Sequence, residues 1–260
     1  MNWALRRQIL DLLILFGVLG VFGFFIIYPY FNVGPSCADG RQNGTEKGVD
    51  CGGSCARACL ADTESVSVLW SRAFKVIPGR YNAVAYLSNH NKNKAANKVN
   101  YRFRFTDANN LYIGKREGTT FIPPVGNFAI FEPAVGLGSS VPVYTTFEFT
   151  SVPDWTVVQE EKINQLKILV SNIQLMNTDT NPKLLATITN NSLFSIPEVN
   201  VVAILYDVLG NAISVSQTYV EVLAGEEQKD LTYTWQEPIS ENVVSKQIIP
   251  MFNVFKAQLR

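Results

Sequence analysis

VNYRFRFTDANNLYI (residues 99–113) is answered one hundred positions later by VNVVAILYDVLGNAI (residues 199–213), with Val, Asn, Asp and Ile at matching places. In the first copy Tyr101, Phe103 and Phe105 alternate with Arg102 and Arg104. Side chains alternate across a strand, so this segment reads as a strand with one face on a core and the other in water. The second copy is apolar almost throughout, which predicts a strand covered on both faces or turned toward a neighbouring domain. In each copy the run ends at an Asp turn, Asp107-Ala-Asn-Asn or Asp207-Val-Leu-Gly. Asp bonds locally to its own backbone there, and Asn and Gly accept positive φ.

Working outward, the repetition continues. YNAVAYLSN from Tyr81 stands beside PKLLATITN from Pro182, and VSVLWSRAFKVI from Val66 beside LKILVSNIQLMN from Leu166. Strand, Asn turn, strand, Asp turn and strand follow in the same order in both halves. Short runs of Val, Ile, Phe, Tyr and Thr between Asn, Pro and Gly clusters mark an all-β sandwich or barrel. Further strands are expected at Tyr112–Ile122, Asn127–Phe131, Val143–Thr150, Ala212–Leu223, Lys229–Trp235 and Lys246–Phe255. The expected fold class is all-β: two tandem immunoglobulin-like sandwiches, residues 63–155 and 156–260.

Toward the N-terminus, Leu12 to Phe31 carries no charge. A helix rises about 1.5 Å per residue, so this run spans a bilayer core of roughly 30 Å. Arg6 and Arg7 precede it, and basic residues stay on the cytoplasmic side. The expectation is a cytoplasmic start (1–8), a transmembrane helix (9–31) and an extracytoplasmic remainder. A cleaved signal peptide fits less well, because the apolar run is long and ends in bulky Tyr28-Pro29-Tyr30-Phe31.

All four cysteines, Cys37, Cys51, Cys55 and Cys59, fall in a juxtamembrane segment, 32–62. Outside the cell they should pair as disulfides, and four cysteines allow three connectivities. The C-x13-C-x3-C-x3-C spacing bunches its short gaps at one end, unlike two separated zinc-binding pairs. Between Cys37 and Cys51 lies a candidate calcium loop. With Asp39 as its first position, Asn43 is fifth, Gly44 is at the turn and Asp50 is twelfth, while Glu46 can join from the eighth. Arg41 sits where another oxygen ligand is usual. The competing expectation is a Gly-rich turn held by disulfides alone.

The pattern C-x-DG-x-x-NG-x-E-x-GVDCGG-x-C resembles a short cysteine-rich motif of bacterial extracytoplasmic and surface proteins. AILYD, residues 203–207, resembles the F-x-L-Y-D strand-and-turn element of a bacterial extracytoplasmic β-sandwich family, to which WHy-type sandwiches are related. Ala203 stands where that family has Phe. FRFTD, residues 103–107, keeps the Phe and Asp and loses the Leu and Tyr. What the resemblance implies is a membrane-anchored sandwich protein with no chemistry attached.

The candidates for catalysis are few. Lys+Arg and Asp+Glu both number 22, so no basic surface argues for nucleic acid. His90, the single histidine, lies in the polar turn SNHNKNK, and no G-x-S-x-G elbow occurs. Asp154, Glu160 and Glu161 read as a solvated linker rather than the carboxylate pair of a carbohydrate-active enzyme. The basic run Lys92, Lys94, Lys98, Arg102 and Arg104 is a candidate contact for an anionic polymer. The expected function is therefore non-enzymatic: a structural or interaction component of the cell envelope that binds a protein or polymer partner. A solute sensor is the alternative, and it calls for a cavity between the sandwiches lined by Phe128, Phe131 and Trp155.

Overall fold

The computed structural model describes residues 3–31 and 36–259; the junction at 32–35, where the membrane helix is expected to give way to the cysteine-rich segment, lies outside them. The chain divides into two compact units, Met1–Cys55 and Ala56–Arg260. The first contains helix α1, Trp3–Phe31. Its stretch Arg6–Tyr28 is long and apolar enough to cross a bilayer, and no part of its most apolar window is buried in protein. Helix is the form that satisfies every backbone N–H and C=O internally when water is absent.

The second unit is built of strands. β1 (Ser67–Ile77), β2 (Arg80–Asn89) and β5 (Gly126–Gly136) form sheet I in the order β1-β2-β5. β4 (Tyr112–Ile122), β3 (Lys94–Thr106) and β6 (Tyr144–Phe149) form sheet II, with β7 (Trp155–Val157) pairing on β3. After the short helix α2 (Glu160–Gln165) the arrangement repeats. Sheet III is β12 (Gln228–Thr234), β9 (Lys183–Asn190) and β8 (Ile168–Met176). Sheet IV is β11 (Ala212–Leu223), β10 (Phe194–Tyr206) and β13 (Ser245–Met251), with β14 (Gln258–Leu259) on β10. Sheets I and II make the first sandwich, and III and IV the second. The all-β, two-sandwich fold is the one expected, and β4 and β11 keep the limits read from the sequence.

The duplication extends to single hydrogen bonds. Asp107 Oδ1 accepts the N–H groups of Asn109 (2.8 Å) and Leu111 (2.9 Å); Asp207 Oδ1 accepts those of Leu209 (2.9 Å) and Asn211 (2.7 Å). Asn110 and Gly210 take matching positive φ of 60° and 78°, which lets each hairpin close over a bulge. Lys94 pairs with Val157 in β7, and Phe194 pairs with Leu259 in β14.

The alternating strand behaves as read. Tyr101, Phe103 and Phe105 are buried, the first two against Phe147 and Phe105 against Phe103, while Arg102 and Arg104 face outward. Glu132, buried beside them, accepts the Tyr101 hydroxyl at 2.5 Å and the Arg116 guanidinium at 2.8 Å. A buried carboxylate is tolerable because both oxygens are met.

The continuously apolar strand has two neighbours. Val199, Val201, Ala203 and Leu205 of β10 point into the core of the second sandwich. Val202 and Ile204 point the other way and join Ala212, Val215, Ile249 and Met251 in the core that sheet I shares. Sheet I is accordingly apolar on both faces, and Ala83 through Leu87 are buried without interruption. Polar ties sit on this contact. Gln247 donates to the Tyr86 hydroxyl at 2.8 Å and accepts the Tyr206 hydroxyl at 2.8 Å; beside it, Asn253 donates to Asn97 Oδ1 of β3, in sheet II, at 2.7 Å. The two sandwiches therefore dock through sheets I and IV over a shared apolar layer.

Candidate functional site

Cys37 and Cys55 form a disulfide with Cα atoms 5.7 Å apart. Cys51 and Cys59 are disulfide-bonded as well, and no described cysteine is free. The loop inside this clasp is held by its own amides. Asp50 Oδ1 accepts the N–H of Asp39 at 3.0 Å and of Gly40 at 3.1 Å, and its Oδ2 accepts Gly40 at 3.0 Å. Asp39 accepts the Arg41 N–H at 2.9 Å and the Asn43 side-chain amide at 2.7 Å. Glu46 Oε2 accepts the Asn43 N–H at 3.1 Å, and its Oε1 lies 3.4 Å from Cys55 Sγ. That sulfur is oxidised and carries no proton, so the latter is a contact and not a hydrogen bond.

Asp39, Asn43, Glu46 and Asp50 are thus brought into one small loop, with Gly44 turning at φ 58°. Each carboxylate has at least one oxygen committed to a loop amide. Asn43 Oδ1 differs: it is buried with no hydrogen-bond partner among the described residues. Among the described residues, Cys37, Glu46 and Cys55 bring ligand-type atoms within 4.8 Å of one another. Both sulfurs are spent in the disulfide, and a metal needs thiolate. The Asn43 amide, followed by the Arg41 N–H, holds the Asp39 carboxyl below its ordinary range. A depressed carboxyl stabilises the fold above its unfolded pKa, and the contribution is lost as pH falls through the lower folded value. Acidification below pH 3.8 should loosen this loop, read as faster exchange of the Asn43 side-chain amide by NMR.

Gly53 carries a larger consequence. Its φ is +62°, and a Cβ there would overlap the Thr45 backbone oxygen. Gly53→Ala is expected to misplace the 45–54 contact, in which Thr45 Oγ1 meets Ser54 Oγ at 2.7 Å. Titration of free thiols after oxidative refolding should show incomplete pairing in the variant and none free in the native chain.

On the sandwiches, the two arginines of the basic run are ion-paired and Lys94 is bonded to a carbonyl. Arg102 pairs with Glu117 at 2.6 Å and with Glu148 at 3.3 Å, Arg104 pairs with Glu148 at 3.1 Å, and Lys94 donates to the Asp62 carbonyl at 2.6 Å. His90 is exposed in its turn, with Nε2 3.3 Å from Ser67 Oγ. Asp154 forms an exposed pair with Arg57 at 3.0 Å, and Glu160 and Glu161 sit in the first turn of α2. Phe128 and Trp155 are core residues. Of the three aromatic residues expected to line a sensor cavity, Phe131 alone borders a space between the sandwiches, a cavity of about 170 Å³ beside Asn200 and Met251.

A larger groove of about 300 Å³ lies where β1 meets β11 and the segment after β12. Phe74, Lys75, Val215, Trp235, Glu237 and Glu241 line it. Sequence reasoning missed it, because one wall, on β1, lies more than a hundred residues before the other two. The local signal was Trp235 beside Pro238, an aromatic and a turn former just past a strand.

No protein-family model matches the chain, and no curated protein matches it. Among solved structures, the red sea bream transglutaminase is similar in part, with 10% identity, a TM-score of 0.25, and coverage of 72% of this chain and 29% of that one. A likeness at that level carries no argument about fold or activity.

Proposed function

We propose that this chain is a single-pass membrane protein whose sandwiches stand outside the cell as a non-enzymatic structural or interaction component of the envelope. The observation that carries the reading is α1, whose apolar stretch Arg6–Tyr28 finds no cover in protein. Lipid supplies that cover, and Arg6 and Arg7 favour an inside N-terminus. Two disulfides next in the chain agree with an oxidising exterior. The AILYD resemblance supports the same address. Paired sheets with a shared core suit a spacer or docking platform, since they hold loops and edges in fixed relation.

The test is protease digestion of intact cells, with mass spectrometry of the N-terminus. The expected result is loss of residues 56–260 to external protease while the α1 segment stays with the membrane, its N-terminus uncleaved. A protected, reduced C-terminal region overturns the reading. Crosslinking in the same cells is expected to recover a protein or polymer partner.

One observation favours a second element, calcium in the clasp: the buried, unpartnered Asn43 Oδ1 beside Asp39, Glu46 and Asp50. Hard oxygen ligands of this kind suit Ca²⁺. Calcium binding would raise the melting temperature, and a chelator would reverse the gain. Melting unchanged by calcium and chelator removes the ion and leaves a clasp closed by its own amides.

A further inference from the structure

The 300 Å³ groove runs along the end of a sheet. β11 is a terminal strand of sheet IV, bonded to β10 on one side and to no strand on the other among the described residues. Its free side opens into the groove at Ile213–Ser216. Trp235 shows the direction of the backbone there, since its Nε1–H donates to the Val215 carbonyl at 3.2 Å. In an antiparallel pair the N–H and C=O of one residue point the same way, so the Val215 N–H also faces the groove.

β4 is likewise the terminal strand of sheet II, and the two copies differ in what covers the face of the sheet beside it. Gly114 of β4 pairs with Phe105 as Ser214 of β11 pairs with Leu205. At Gly114 the space is taken: a Cβ there would lie 2.8 Å from the Leu137 side chain, and Leu137 is buried. At Ser214 the corresponding place lines the open groove.

Charge narrows the occupant. Lys75 is paired with Glu237 at 3.0 Å, while Glu241 has no ion pair among the described residues. The rim is left with an unneutralised carboxylate beside the edge of β11, where the Val215 carbonyl already holds the Trp235 indole. Alternating donors and acceptors at a sheet edge match another peptide backbone. We propose that this groove binds an extended segment of a partner protein as an added strand on β11, with a Lys or Arg of that segment at Glu241. Phe74 and Pro238 would receive its apolar side chains. The inference rests on the interaction role above and names the chemistry of the partner.

The test uses the full chain in lipid nanodiscs, panned with a random decapeptide phage library. Enriched peptides are expected to alternate apolar residues and to carry a basic one. Synthetic copies should slow hydrogen exchange at residues 212–218, and Glu241→Lys, an exposed change, should weaken them about tenfold. Because Glu241→Lys adds no backbone change, unaltered melting of that variant confirms that the fold is intact. No enrichment over empty nanodiscs, binding without protection at 212–218, or equal affinity for the variant each overturns the groove assignment. Crosslinked partners attached elsewhere would refute the groove and leave the interaction role standing; a cytosolic sandwich region would refute that role.

Discussion

Ile204→Asp is expected to split the heat unfolding of the 56–260 unit into two transitions, where the native chain is expected to show one. Ile204 has no exposed surface and lies between the sandwiches with Val202, Val215, Ile249 and Met251. Burying such a side chain stabilises by about 1.5–3 kcal/mol. A carboxylate at this position would face Val84 and Tyr86 of sheet I, where the Tyr86 hydroxyl is engaged by Gln247 and the Arg72 guanidinium by the Ala212 carbonyl. The expected cost is on the order of 5 kcal/mol, the range reached when an unpaired charge is buried. β10 keeps its inward residues Val201, Ala203 and Leu205, so the second sandwich retains a core of its own. Ile204→Ala, which opens a cavity without a charge, should cost about 2–5 kcal/mol and lower the melting temperature within a single transition. Val208→Asp, at a hairpin tip 76% exposed, is the control and should change nothing. An Ile204→Asp variant that melts like the native chain would show that the sandwiches touch without stabilising one another.

The residues that make this contact were legible one strand at a time. YRFRF alternates, and Tyr101, Phe103 and Phe105 are buried while the arginines face out. VNVVAILYD does not alternate, and both faces of β10 are covered. The hundred-residue offset identified two copies because hairpins with one geometry demand the same turn chemistry at Asp107 and Asp207. The covering sheet was not legible. Tyr86 and Gln247 meet across 161 positions, and periodicity describes a strand's faces without naming what covers them. The groove was hidden for the same reason. In the clasp, the spacing of Asp39, Asn43, Glu46 and Asp50 placed four oxygen-bearing side chains in one loop. Spacing could not tell a backbone N–H from a cation as the group they face, because both select short side chains with hard oxygens.

Asn190→Ala should cost about 3 kcal/mol, and Asn89→Ala about the same, although both end a strand at a turn, where substitution is usually mild. These two residues stand in the aligned ends of YNAVAYLSN and PKLLATITN, where the sequence signals a turn and nothing more. Both are buried. The Asn190 amide donates to the carbonyls of Phe194 (2.7 Å), Leu223 (3.3 Å) and Ala224 (2.9 Å), and its oxygen accepts from Ser192 N–H (3.1 Å) and hydroxyl (2.7 Å). Asn89 does the same work in the first sandwich, donating to Lys94 O at 3.0 Å and Pro123 O at 2.8 Å and accepting the Asn91 N–H at 3.0 Å. Each side chain ties a loop to the opposite sheet, and truncation leaves buried carbonyls with no donor, the costly side of hydrogen-bond exchange. Asp at either position keeps the size and the acceptor but loses the NH₂, and turns a negative oxygen toward carbonyl oxygens. Asn190→Asp should therefore destabilise more than Asn190→Ala near neutral pH, measured by urea unfolding of the full chain in detergent. If Asp proves milder than Ala, the carbonyls are not held by the amide, and the loop closes by packing instead. Because the sandwiches share the apolar layer between sheets I and IV, either variant should lower the stability of both together, whereas Asn190→Asp combined with Ile204→Asp should unfold the second sandwich alone at the lower temperature.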